Sequence, residues 1–179
     1  AERLWEHAVA TGLACGLLAE QTRRVEKDEA FIVGLLHDVG KTVLMANDEA
    51  LYREVVARMA KDGTDSWVAE EELFGCHHAA VGGVMLMQWE LPMQQVNAIL
   101  WHHHLDDLSQ VPDTGRDLAC VVHVADMITN HLGINATGIE KPLIVESPPA
   151  ESLGLSEQQL VLLSERTLER YEEEKDVFS

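Results

Sequence analysis

The sequence predicts an all-α protein, a helical bundle, and three observations carry that expectation. Apolar residues recur at helical spacing in segment after segment, as in Leu4, His7, Thr11, Ala14 and Leu18. Helix punctuation separates the segments, with Asp28, Asp48, Ser66 and Ser156 where N-caps belong and Gly40, Gly63 and Gly75 where helices stop. No alternating apolar–polar run is long enough to argue for a sheet, and no internal repeat is present.

Taken in order, residues 2 to 21 read as an amphipathic first helix. Asp28 caps a second that runs through Phe31, Val33, Leu35 and Leu36 to Gly40. Asp48 caps a third through Leu51, Val55, Val56 and Met59, ended by Gly63, and Ser66 caps a fourth to Leu73. His77 to Trp89 forms a fifth, in which Gly82-Gly83 permits close helix packing rather than a break. Pro92 suits the first turn of a sixth through Val96, Ile99 and Leu100. Residues 105 to 115 read as a polar loop, and Asp117 to Leu132 as a seventh helix. The stretch from Gly133 to Ala150 is irregular, with a short extended piece at Leu143–Val145. Ser156 and Gln159 form a capping box for the last helix, with Leu155 and Leu160 at the staple positions. This divides the chain into a helical domain over 1–135, a proline-containing connection over 136–155, and a C-terminal amphipathic helix over 156–179 that packs on the same domain.

With 13 Lys+Arg against 31 Asp+Glu, the net charge is −18. Such a surface repels nucleic acid and anionic membranes. Part of the excess lies in runs such as Glu70-Glu71-Glu72, which read as solvated helix faces. The longest apolar stretch, Ala8 to Ala19, is too short to span a bilayer. Three widely spaced cysteines, Cys15, Cys76 and Cys120, make no disulfide framework, so a reducing cytoplasm is the expected location. The chain starts at Ala1 almost directly in its first helix, which reads as a fragment of something longer.

The chemistry gathers around histidine. His37-Asp38 ends an apolar run just before Gly40, where a glycine lets the last side chains of a helix turn toward one point. The dipeptide alone has a plainer reading, a histidine at a helix C-terminus with an exposed aspartate beside it. Four further features argue against that. His7 sits on the apolar face of the first helix, His77-His78 opens an apolar segment, and His102-His103-His104 closes another. Asp126 lies inside the apolar run Val121–Ile128, where a carboxylate needs a partner or a metal.

In this order the residues resemble the HD superfamily of metal-dependent phosphohydrolases, with its pattern H…HD…D. Leu4-Trp5-Glu6-His7, Gly34 to Gly40, Phe74-Gly75 before His78-Ala79-Ala80-Val81-Gly82, Trp89-Glu90-Leu91-Pro92 and Ala98-Ile99 before His102-His103 resemble the HDOD branch more specifically. The resemblance implies an HD-like bundle with a metal site between helices, lacking the family's N-terminal helical part. It implies His7, His37, Asp38 and Asp126 as ligands of one metal, and His78, His102 and His103 as those of a second, with Asp38 as the bridge. His102 and His103 diverge on a helix, so two adjacent ions would use them better than one. Imidazole with carboxylate suits iron, manganese, zinc or nickel and does not by itself choose among them. With the resemblance, the expected cofactor is one or two divalent transition-metal ions, iron or manganese ahead of zinc or nickel. His77, His104, His123 and His131 match no family ligand and read as exposed or as supports for the ligands.

Two functions follow from the resemblance. One is a bacterial signal-transduction module with an intact metal site and signalling proteins or fused domains as partners. The other is a phosphohydrolase or phosphodiesterase acting on a nucleotide or other phosphoester, with Asp38 and Lys41 in catalytic roles. Lys41 also has a bland reading, as a cation favoured at a helix C-terminus. A metal-free interaction module is a third alternative. The run His104-Leu105-Asp106-Asp107 after His103 lacks the GYP signature of cyclic-di-GMP phosphodiesterases.

Overall fold

Helix α1 (Glu2–Thr22) is the axis of the molecule, because every residue from His7 to Ala19 is buried. A helix apolar on one face only would leave part of that stretch in water. This one is small or apolar all round, so it is enclosed by neighbours rather than laid on a surface. The computed structural model describes residues 2–177. After α1 come α2 (Lys27–Leu36), α3 (Val39–Asn47), α4 (Glu49–Asp62), α5 (Ser66–Phe74), α6 (His78–Gln88), α7 (Met93–Trp101), α8 (Arg116–His131), α9 (Pro148–Ser152) and α10 (Glu157–Glu174). No strand occurs among the described residues, so the chain is all-α. No described helix is long and apolar enough to cross a membrane.

Around α1 pack α2, α8 and α10. The main core joins Leu18, Leu86, Ile99, Ile128 and Leu160, all fully buried. A smaller cluster of Leu44, Tyr52, Val55 and Ala69 holds α3, α4 and α5 together on one side. Tyr171 of α10 closes on Val9, Ala10 and Leu13 of α1.

Two of the four predicted N-caps are present. Asp48 accepts a hydrogen bond from the Leu51 amide, and Ser156 with Gln159 makes the full capping box of α10. Others shift by a residue or two. Glu26, not Asp28, stands at the N-cap of α2, leaving Asp28 in the first turn where its charge still complements the dipole. Asp65 precedes α5 in place of Ser66, and its carboxylate binds Lys141 at 2.8 Å instead of capping. Pro92 sits at the N-cap of α7 rather than inside its first turn. No regular structure forms over 143–145, and Ser147 caps the short α9, which the sequence pattern does not announce.

The largest departure lies at the second predicted helix. It stops at Leu36, not Gly40, and a new helix, α3, begins at Val39. Gly40 is therefore no terminator. A Cβ there would stand 2.1 Å from the His78 carbonyl oxygen and 2.8 Å from the Gly82 nitrogen, so the glycine lets α3 and α6 touch backbone to backbone. Gly83 plays the packing part predicted for it, since a Cβ would meet Leu100 Cδ2 at 2.2 Å.

Candidate metal centre

Five parts of the fold converge on one buried point. His7 comes from α1, His37 and Asp38 from the turn between α2 and α3, and His78 from the first position of α6. His102 and His103 come from the turn that ends α7, and Asp126 from α8. Because both dipeptides sit in turns, their neighbouring side chains escape the 100° divergence of a continuous helix. The His102 and His103 rings lie with centroids 3.9 Å apart, which corrects the expectation that they diverge. His37 Nε2 stands 3.4 Å from Asp38 Oδ1 by the same device.

All seven side chains singled out as metal ligands from the sequence are brought together here. His7, His37 and Asp126 form one group whose donor atoms lie within 4.8 Å of one another, and His78, His102 and His103 form another. Asp38 stands between them. Its Oδ2 is 3.5 Å from His7 Nε2, and its Oδ1 is 3.1 Å from His78 Nε2. His7 Nε2 is 3.0 Å from Asp126 Oδ1, and His103 Nε2 is 2.9 Å from His78 Nε2.

The rings are held from behind. His37 Nδ1 donates to the Gly34 carbonyl, His102 Nδ1 to that of Ile99, and His7 Nδ1 to that of Ile134, each at 2.7 Å. A carbonyl oxygen only accepts, so in each neutral ring the proton is on Nδ1 and the Nε2 lone pair faces the centre. His37 Nε2, His102 Nε2 and Asp38 Oδ1 are buried there without a hydrogen-bond partner among the described residues. Orphaned acceptors converging on one point are costly unless a cation meets them, and this donor set fits a transition metal.

Electrostatics follow the same division. Burial pushes the Asp38 carboxyl up, but His37, Lys41, His78 and His7 outweigh it and hold it far below its usual range. Burial likewise opposes ionisation of Asp126, which His37 and His7 nonetheless keep well below 3.8. Burial works against a charged His37, yet Asp38 and Asp126 raise it above 6.5. His102 and His103 are driven well below 6.5 by burial and by the neighbouring imidazoles.

Lys41 donates to Asp38 Oδ2 at 2.7 Å with its ammonium largely buried. It sits in the first turn of α3, where the helix dipole disfavours a cation, so the C-terminal reading is wrong. Asp38 holds it there. A cavity of about 360 Å³ opens from the cluster and is lined by His7, Asp38, Lys41, Trp67, His103 and Asp126, with Asp65 and Lys141 also on its wall.

Two contributors were missed. Glu70, read as part of a solvated run, is fully buried and takes hydrogen bonds from both the His78 amide and His78 Nδ1, at 2.7 and 2.6 Å. The signal existed, since Ser66, Ala69, Glu70, Leu73 and Phe74 follow the i, i+3, i+4, i+7, i+8 stripe with Glu70 at an inward position. Asn130 donates to Asp126 Oδ1 at 2.8 Å, one helical turn away. Of the remaining histidines, His123 Nδ1 donates to the His102 carbonyl at 2.7 Å, and His131 Nδ1 to that of Lys141 at 2.9 Å. His77 meets Trp67 edge-on and the exposed His104 packs against it at a tilt, both outside the cluster.

Residues 1–105 match the HDOD domain. The fold is similar to that of an HDOD domain protein of unknown function from Geobacter sulfurreducens, at 25% identity and a TM-score of 0.79, covering 98% of this chain and 62% of that one. A candidate signal transduction protein from Marinobacter aquaeolei VT8 is similar at 18% identity and a TM-score of 0.79, over 98% of this chain and 38% of that one. A candidate phosphohydrolase from Shewanella amazonensis SB2B is similar at 22% identity and a TM-score of 0.66, over 92% and 58%. The chain thus spans less than two thirds of each of these relatives. It belongs to the HDOD domain family.

Proposed function

We propose that this chain is a bacterial signal-transduction domain that holds one or two divalent transition-metal ions, iron or manganese ahead of zinc or nickel. His7, His37, Asp38 and Asp126 would hold one ion, and His78, His102 and His103 the second, with Asp38 shared. The observation that carries the reading is the set of buried, unpartnered acceptors, His37 Nε2, His102 Nε2 and Asp38 Oδ1, that face one another at the meeting point of five segments. A regulatory role is favoured over turnover by charge. The cavity wall includes Asp106, the Asp65 on it is already paired with Lys141, and the net charge of −18 repels a phosphoester. Partners on this reading are signalling proteins or fused domains. Elemental analysis after reconstitution with Fe²⁺ or Mn²⁺ tests it, and less than about a tenth of an equivalent bound would overturn it.

Lys41 and the cavity favour a second reading, a phosphohydrolase. When bound, the ions would supply positive charge and Lewis acidity beside the cavity. Lys41, which lines the cavity and donates to Asp38, would bind a phosphoryl oxygen. His123 lines the same wall and can hold or accept a proton there. Assay of phosphodiester and nucleotide substrates with Mn²⁺ decides between the readings. Turnover in the wild type that Asp38→Ala abolishes establishes the enzyme, and its absence in both leaves the regulatory reading.

A further inference from the structure

We infer that Glu70 is a positioning residue of this centre, committing His78 to one tautomer whose Nε2 lone pair faces Asp38 and His103. The inference rests on the metal-binding reading above and adds to it the control of one ligand. Three of the rings at the cluster are oriented by backbone carbonyls, those of Gly34, Ile99 and Ile134, which no substitution removes. His78 differs, because its partner is a side chain.

Glu70 is as buried as any residue in the molecule, and one of its oxygens, Oε2, takes both N–H groups of His78. The bond to the amide anchors the residue and the bond to Nδ1 anchors its ring. His77, at the N-cap of α6, makes no side-chain cap, so the Glu70 carboxylate satisfies the first amide of that helix in its place. Tyr52 lies 3.5 Å from the other oxygen, Oε1, and closes the far side.

The consequence for His78 is directional. In the neutral ring a carboxylate on Nδ1 requires the proton there, which leaves Nε2 as the acceptor, 3.1 Å from Asp38 Oδ1 and 2.9 Å from His103 Nε2. Without Glu70 the proton is free to move to Nε2, where it would donate to Asp38 and block the donor atom. Partners of this kind behind a metal-bound histidine contribute about 10–100-fold to metal affinity.

The test needs no metal for its first readout. In ¹⁵N-histidine-labelled, metal-free protein, NMR with His78 assigned by difference from His78→Gln should show His78 protonated on Nδ1. Glu70→Ala should move part or all of that proton to Nε2, and Glu70→Gln, whose amide oxygen accepts equally, should restore it. If Glu70→Ala fails to fold, Glu70→Asp replaces it, keeping the charge but drawing the carboxylate back by one methylene, with the same expected change. An unaltered His78 tautomer in the folded variant overturns the proposal. Equilibrium dialysis with Mn²⁺ is the second readout, with affinity about 10–100-fold weaker at the His78 group in Glu70→Ala and unchanged at His7, His37 and Asp126. Equal losses at both groups overturn the assignment to His78. A tautomer switch in Glu70→Ala beside a wild type that takes up neither Mn²⁺ nor Fe²⁺ supports Glu70 while refuting the metal-binding reading.

Discussion

The two halves of the cluster are built from different chemistry. One combines His7 and His37 with the carboxylate of Asp126, and the other is imidazole alone, His78, His102 and His103. In the first, negative charge raises the basicity of His37. In the second, burial and the neighbouring imidazoles hold His102 and His103 well below the usual histidine range. Asp38 is common ground, and Lys41 adds a cation that donates to Asp38 Oδ2. One fold has thus made a charged pocket and a neutral pocket a few ångströms apart, and the residue between them couples their fates.

The sharpest way to break the comparison is to remove what the halves share. Asp38→Ala strands the Lys41 ammonium in the interior and should cost about 3–5 kcal/mol, read by urea unfolding. Bound metal should be lost from both halves. Asp38→Ala with Lys41→Met should recover most of the stability and none of the metal, because the stranded charge is gone and the shared carboxylate is still missing.

Gly40→Ala should act on one half. Its Cβ would wedge α3 from α6 against the His78 carbonyl, costing about 1–3 kcal/mol. Mn²⁺ titration should show the His78 group weakened more than the His7 group, and equal weakening would count against the division.

Acid should separate the halves in the metal-free protein. The folded values of His102 and His103 lie below 6.5, so the unfolded chain takes up protons first as pH falls through 6.5, and their stabilising contribution is lost on the acid side. The folded value of His37 lies above 6.5, so its contribution is complete below that pH and is lost as pH rises. Two against one, the urea midpoint should fall from roughly pH 7 to pH 5, and His102→Ala should flatten that slope.

Lys141→Ala is the smallest change. Its ion pair with Asp65 is partly exposed and should be worth less than about 1 kcal/mol. Metal content should stay the same in both halves.

The sequence made the helical class and the seven clustered side chains legible for different reasons. Helical periodicity and caps such as Asp48 and Ser156 act locally, so local reading found them. The candidate set was visible because histidine and aspartate are rare in apolar runs. Reading failed where one residue type serves two purposes. Gly40 looked like a helix stop, yet its smallness is used for backbone contact with α6, and the helix that follows it was hidden as a result. Glu70 looked like one glutamate among three, and only the fold distinguishes the one that turns inward. The divergence of His102 and His103 was argued for a continuous helix, and the chain avoids it by ending the helix first.

The hydrogen bond from His7 to the Ile134 carbonyl joins residues 127 positions apart. Asp126 and Asn130 also lie past residue 105, where the family match stops. A boundary drawn at that residue would sever the bundle through its centre, leaving His7 with a rotating ring and no acidic neighbour from α8. The smallest piece worth excising for study therefore runs past Ile134.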